Sequence, residues 1–237
     1  RGQRVLMFDV DPQGNATTGC GVIKRRALPT VYQILIGRST LVDARIRTEF
    51  GFDILPANRE LAGAEVELIE MGGREFRLRD ALAPVVDDYD FILMDCPPAL
   101  NMLTVNGLAA ADAVMIPMQC EYYALEGLTD LVATLKKVRA NLNARLEIEG
   151  LLRTLFDPRS TLTQQVSAEL DEHVGRKVYR TIIPRNVRLA EAPSYGKPVI
   201  AFDRSSKGAL AYMALAQEML DRRDGVAGKA VEQGAMA

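Results

Sequence analysis

Short, wholly apolar runs alternate along the chain with longer stretches of helical periodicity. The first run is residues 5–8, which ends in Asp9-Val10-Asp11-Pro12. A second copy of the pattern is residues 91–94, ending in Asp95-Cys96-Pro97-Pro98. Further runs are 113–117, 151–156 and 178–183, the last ending at Pro184. Runs of this length bounded by Pro and Gly turns predict buried strands. Helices are predicted over 61–71, 76–86, 103–111, 125–142, 162–173 and 209–220. Leu125, Leu128, Leu131, Val132, Leu135 and Val138 follow the i, i+3, i+4, i+7 spacing of an amphipathic helix.

Strands that are apolar throughout and alternate with helices predict an α/β fold. The expected architecture is a doubly wound, mostly parallel sheet with helices on both faces. Ligands bind such sheets at the carboxyl ends of the strands, so Asp9, Asp11, Asp95 and the Pro184 turn are expected to converge on one edge. Periodicity fades after about Leu220. One domain is therefore expected over 1–222, with a flexible tail over 223–237. The sequence opens Arg1-Gly2-Gln3-Arg4, without Met and directly before a strand that looks central. The expectation is a fragment that lacks an earlier strand and helix, which would leave unpaired ladder groups prone to aggregation.

Composition narrows the class. Hydrophobic residues are 48% of 237, enough for a full core. No apolar run approaches the roughly 18–20 residues of a membrane span, and no signal-peptide pattern opens the sequence. The three cysteines, Cys20, Cys96 and Cys120, have no C-x-x-C spacing, which argues against a zinc site or disulfide framework and for a reducing cytoplasm. Net charge is −2, but it is uneven: residues 1–150 are net −5 and residues 151–210 are net +4. Of the 29 basic residues 22 are Arg, whose planar fork suits phosphate, so the C-terminal half is a candidate polyanion surface.

The acids at strand ends carry the chemistry. Asp9 and Asp11 in a D-x-D pattern, with Asp95 after an apolar strand, form a hard-oxygen set of the kind Mg²⁺ prefers. A strand 92–94 ending in Asp95 matches the Walker B arrangement. Alone, that pattern is common among α/β strands; with D-x-D-P-Q-G-N it is far more specific.

The segment Asp9-Val10-Asp11-Pro12-Gln13-Gly14-Asn15-Ala16-Thr17-Thr18-Gly19 resembles switch I of the ParA/Soj family, the deviant-Walker chromosome-partitioning ATPases. Residues 89–98 resemble that family's Walker B and switch II. Residues 183–198, I-P-R-N-V-R-L-A-E-A-P-S-Y-G-K-P, resemble its late nucleotide-base segment. The three motifs occur in order, and the resemblance runs from Arg4 to about Leu220. It implies a P-loop NTPase-like fold with ATP and Mg²⁺ as cofactors. By the same resemblance Asp11 positions the attacking water, Asp9 lies close to the metal and phosphates, Asp95 holds Mg²⁺ through water, and Pro184 and Asn186 contact the adenine. The family's K-G-G-V-G-K-[ST] loop is absent from these 237 residues and would lie upstream of Arg1. The chain alone is therefore expected to bind ATP poorly.

The resemblance also implies an ATP-bound homodimer, stimulation by a ParB-type centromere-binding protein, and non-specific binding to double-stranded DNA. It implies a cytoplasmic, nucleoid-associated protein with plasmid or chromosome as cargo. Arg159 and Arg188 are the strongest DNA candidates, followed by Arg185, Arg204 and Lys207, all in the net-positive block. A MinD-like positioning ATPase is the first alternative. It needs a basic amphipathic anchor, which residues 225–237 do not supply, and no membrane contact is expected. A non-catalytic DNA- or partner-binding module without its P-loop is the second; the strand-end acids argue against it. His173, the only histidine, reads as a surface or capping residue, Cys96 and Cys120 as small hydrophobes, residues 24–26 as a solvated charge run, and Met115, Met118, Met213 and Met219 as core filling.

Overall fold

The computed structural model describes residues 2–234, with side chains through residue 225. In chain order the elements are β1 (Val5–Asp9), α1 (Asn15–Gly19), α2 (Val31–Leu35), α3 (Leu41–Ala44), β2 (Ile46–Arg47), β3 (Asp53–Leu55), α4 (Leu61–Leu68), α5 (Arg77–Leu82) and β4 (Phe91–Asp95). They continue with α6 (Met102–Ala110), β5 (Ala113–Gln119), α7 (Ala124–Asn141), β6 (Glu147–Thr154), α8 (Thr161–Val174), α9 (Val187–Glu191), α10 (Val199–Phe202) and α11 (Lys207–Gly234). Where the sequence leads one to expect a single domain over 1–222, the described chain divides into two compact units. The first comprises Arg1–Val114, Val132–Glu147 and Ala190–Phe202; the second comprises Met115–Leu131, Ile148–Leu189 and Asp203–Ala237.

The first unit is built on a four-stranded sheet of order β2-β3-β1-β4. Strand β1 runs parallel to both neighbours, pairing Leu6 with Asp53 on one side and Val5 with Phe91 through Asp9 with Asp95 on the other. Leu6 and Phe8 are fully buried, and they pack with Val31, Leu35, Leu55, Leu61, Leu78 and Leu103 of the surrounding elements. Hydrogen-bonding side chains start the helices. Thr30 and Gln33 form a reciprocal capping box on α2, and Asn101 accepts from Thr104 N at 3.0 Å to open α6.

Strand β4 is the outer strand of this four-stranded sheet, and Leu93 on it is 43% exposed. The short β2–β3 antiparallel pair, joined through Ile46–Ile54 and Arg47–Asp53, carries no apolar run long enough to be read from sequence.

In the second unit β5 pairs with β6. Residues 178–184 run beside β6 and the residues that follow it, with parallel bridges at Leu151–Val178 and Phe156–Pro184 and with Tyr179 N and Ile183 N donating to Leu151 O and Arg153 O, so the expected strand over 178–183 is interrupted. Glu218 causes the interruption. Its buried carboxylate accepts from Arg180 N at 2.9 Å and Thr181 N at 2.8 Å, replacing ladder carbonyls. Burial pushes that carboxyl up, but the amide donors and Arg222 outweigh it and hold it below its ordinary value. Leu152, Tyr179, Ile183 and Leu215 form the core, with Met115 and Met219 against it; Met118 is buried too.

Helix α11 extends to Gly234, past Leu220 where the apolar period ends. Helix formation there needs no apolar face, because Ala, Glu, Arg and Lys have high intrinsic propensity. Residues 235–237 of the expected tail lie outside the described residues.

Candidate functional site

Parallel pairing brings the acids together. Because Asp9 and Asp95 are register partners, both strands deliver a carboxylate at the same carboxyl-terminal edge, and Val10 N extends the ladder to Asp95 O at 2.8 Å. Asp11, two residues on, opens a tight turn. Its backbone carbonyl accepts from Gly14 N and its side chain from Gln13 N, both at 2.9 Å. Gly14 then enters the left-handed region at φ 63° to start α1, and a Cβ there would lie 2.6 Å from Ala57 O. Only glycine satisfies both conditions.

Asp9 is fully buried and faces inward. One carboxylate oxygen accepts from Asp11 N at 3.2 Å; the other accepts from Thr17 N at 2.7 Å and Thr17 Oγ1 at 2.6 Å. Desolvation raises its pKa, and the Thr17 bonds oppose that rise. Asp95 differs. It is exposed, and desolvation followed by the charges of Asp9 and Asp11 pushes it up to about 6. Lys24, read from sequence as part of a solvated run, donates from Nζ to Gln13 O at 2.6 Å and joins the turn. Thr17 lies within the D-x-D motif but takes no role from sequence, and Lys24 lies outside every motif, since their roles depend on where the turn folds back.

Burial first, then the charges of Asp9 and Asp95, pushes the Cys20 thiol up to about 11. Burial and then Asp95 and Asp11 push Cys96 up to about 12. Both remain protonated and behave as small packing groups. Among the described residues no group of three or more His, Cys, Asp or Glu could hold a metal by itself. The exposed Asp95 carboxylate beside Asp9 and Asp11 is chemically suited to a magnesium ion whose remaining oxygens come from water and phosphate.

The other expected residues lie in the second unit. Pro184 bridges Phe156, and Asn186 accepts from Arg188 N at 3.1 Å to open α9. The late motif is therefore split, with residues up to Leu189 in the second unit and Ala190 onward in the first. Arg159, Arg185, Arg188, Arg204 and Lys207 are all exposed and all belong to the second unit. Arg159 grips Asp157 with two nitrogens, at 3.0 and 2.9 Å, and these bonds hold the Asp157 carboxyl down at about 2. Arg185 N donates to Phe156 O at 3.0 Å, so Arg185 shares that neighbourhood. Arg188 pairs with Asp203 at 3.3 Å. Just before this cluster Leu155 sits at φ 48°, a strained conformation for a residue with a Cβ. His173 is exposed in the last turn of α8, with Nδ1 2.8 Å from Glu169 O.

A mostly parallel sheet with helices, whose strand ends carry carboxylates beside a D-x-D turn, is the arrangement of nucleotide-binding α/β proteins. The comparisons with known proteins agree. A family model described as "AAA domain" matches residues 1–148. The chain is 49% identical over 224 residues to the chromosome partitioning protein ParA of Caulobacter vibrioides, covering 93% of this chain and 84% of that one. It is 50% identical over 219 residues to the sporulation initiation inhibitor protein Soj of Bacillus subtilis, covering 92% and 87%. The solved structure of cobyrinic acid a,c-diamide synthase from Mycobacterium smegmatis, with bound ATP analog and magnesium, is 38% identical with a TM-score of 0.81. It covers 92% of this chain and 82% of that one. The chain belongs to the ParA/Soj family of chromosome-partitioning ATPases.

Proposed function

We propose that the protein is a DNA-partitioning ATPase that dimerises on ATP, binds DNA without sequence preference, and is stimulated by a ParB-type partner. The observation that carries this reading is the placement of Asp9, Asp11 and Asp95 on one strand edge, with Asp11 held in a pinned turn. Bound Mg²⁺-ATP supplies the phosphoryl group and the compensating charge. Asp11 orients the attacking water, and Asp95 holds the metal's water shell. Asp9 acts one step back, since both its oxygens are spent on the turn. In the second unit Pro184 and Asn186 contact the base.

The arginine set supports the DNA reading. Exposed guanidinium groups on one unit suit phosphate contacts, which carry affinity without reading sequence. The likeness to partitioning proteins supports action in the cytoplasm on the nucleoid. Among the described residues no helix is long and apolar enough to cross a membrane. The test uses the chain extended upstream through its phosphate-loop coding sequence, beside an Asp11→Ala variant. DNA binding is followed with ATP and Mg²⁺ at low and moderate salt. ATP-promoted, salt-sensitive binding, with turnover lost in Asp11→Ala but binding kept, is the expected result. Binding that ignores ATP, or turnover that survives without Asp11, overturns the reading in favour of a non-catalytic module.

A further inference from the structure

Thr17 is fully buried, and its hydroxyl is committed on both sides. It donates to Asp9 Oδ2 at 2.6 Å and accepts from Ala57 N at 2.9 Å. Its own amide donates to the same Asp9 oxygen at 2.7 Å. Asp9 Oδ1 in turn accepts from Asp11 N at 3.2 Å. A continuous chain of hydrogen bonds therefore runs from the segment after β3, through Thr17 and Asp9, to the backbone of Asp11. The same segment limits the turn from outside, because Ala57 O fills the space a Gly14 side chain would need.

We propose that Thr17 is a positioning residue for Asp11: its hydroxyl joins Asp9 to Ala57 and so fixes the turn that presents the Asp11 carboxylate. The inference rests on the hydrolytic role of Asp11 proposed above. Valine is the discriminating replacement. It keeps the shape of threonine but can neither donate to Asp9 nor accept from Ala57. Serine keeps the hydroxyl and loses only the methyl group. A turn that has lost its tether still offers Asp11 to solvent, but at a wandering position, and misplacement of this kind slows chemistry more than binding.

The test has two readouts. In the chain as it stands, backbone amide exchange is measured for Asp11, Thr17 and Ala57, with Leu6 and Phe8 as references. Thr17→Val is expected to speed exchange at the three loop amides by roughly tenfold, leave the references unchanged, and be reversed by Thr17→Ser. In the chain extended through its phosphate-loop sequence, Thr17→Val is expected to lower kcat by roughly 10–100-fold with KM for ATP within about twofold. Thr17→Ser should recover most of kcat. If Thr17→Val does not fold, Asp9→Asn breaks the same chain of bonds, because an amide has one accepting oxygen and cannot accept from both Thr17 and Asp11 N, and the same pattern is expected. Unchanged loop exchange, a KM effect with kcat intact, or failure of serine to rescue overturns the proposal. Asp11→Ala run in parallel separates the two readings. Turnover that survives it removes the role of Asp11 and leaves the exchange data to decide whether Thr17 holds the turn.

Discussion

The two units hold their functional groups in opposite ways. In the first, Asp9 is buried, its oxygens are saturated by Thr17 and Asp11, and the turn that follows is closed by backbone bonds and a steric limit at Gly14. In the second, Arg159 and Arg188 stand in solvent, held by Asp157 and Asp203 through surface ion pairs of small net worth. The contrast is one of precision against charge. A water-orienting carboxylate works only at one position, so the fold spends buried hydrogen bonds on it. Phosphate contacts tolerate movement, so long exposed side chains suffice. Arg153 shows that the second unit can also build precisely. Its buried guanidinium donates to Ser167, Asp171 and the Tyr179 carbonyl, and there it organises the core.

The largest effect is expected at the first unit's turn. Asp11→Ala in the extended, ATP-hydrolysing chain should cut turnover by roughly 10²–10⁴-fold with little change in Tm, as steady-state kinetics and calorimetry would show. A small, graded loss instead would erase the contrast with the arginines. Next comes Arg153. Replacement by Met leaves the buried Ser167 hydroxyl and Tyr179 carbonyl without their donor and should cost about 1–3 kcal/mol in denaturant unfolding. A near-neutral result would mean that the second unit's core is organised by its apolar residues alone.

Graded behaviour is expected of the surface set. Arg159→Ala and Arg188→Ala should each weaken DNA binding and reduce the slope of log K against log salt by about 0.9, additively in the double variant. Loss of all binding from either single change would make that side chain a precise contact and break the comparison. The smallest effect is a pH dependence. Folded Asp95 keeps its proton up to about 6, above the ordinary 3.8 of the unfolded chain. Between those values the folded state binds more protons, so stability falls as pH rises from about 4 to about 6 and then levels. Asp95→Asn should flatten that part of the Tm profile in magnesium-free buffer; an unchanged profile assigns the titration to another group.

Much of the first unit was legible in the chain. Apolar runs ending in acid marked β1 and β4 to within a residue, and D-x-D-P-Q-G-N named the turn because Pro12, Gly14 and the flanking acids have local conformational meanings. The roles of Thr17 and Lys24 were not legible, since a threonine in a helix and a lysine in a basic run look the same whether or not a carboxylate or carbonyl folds back onto them. The broken strand at 178–184 was hidden for a like reason: its interruption is written at Glu218, some 37 residues away in sequence.

Period, composition and local turn chemistry, which depend on neighbours a few residues apart, determined the alternation of strands and helices, the parallel sheet, the acid-tipped strands and the uneven charge. Tertiary structure alone decided that the late motif is shared between two compact units, and that Asp9 faces inward while Asp95 faces out. Those outcomes depend on which distant segment pairs, packs or donates a hydrogen bond, and identical local sequence is compatible with either result.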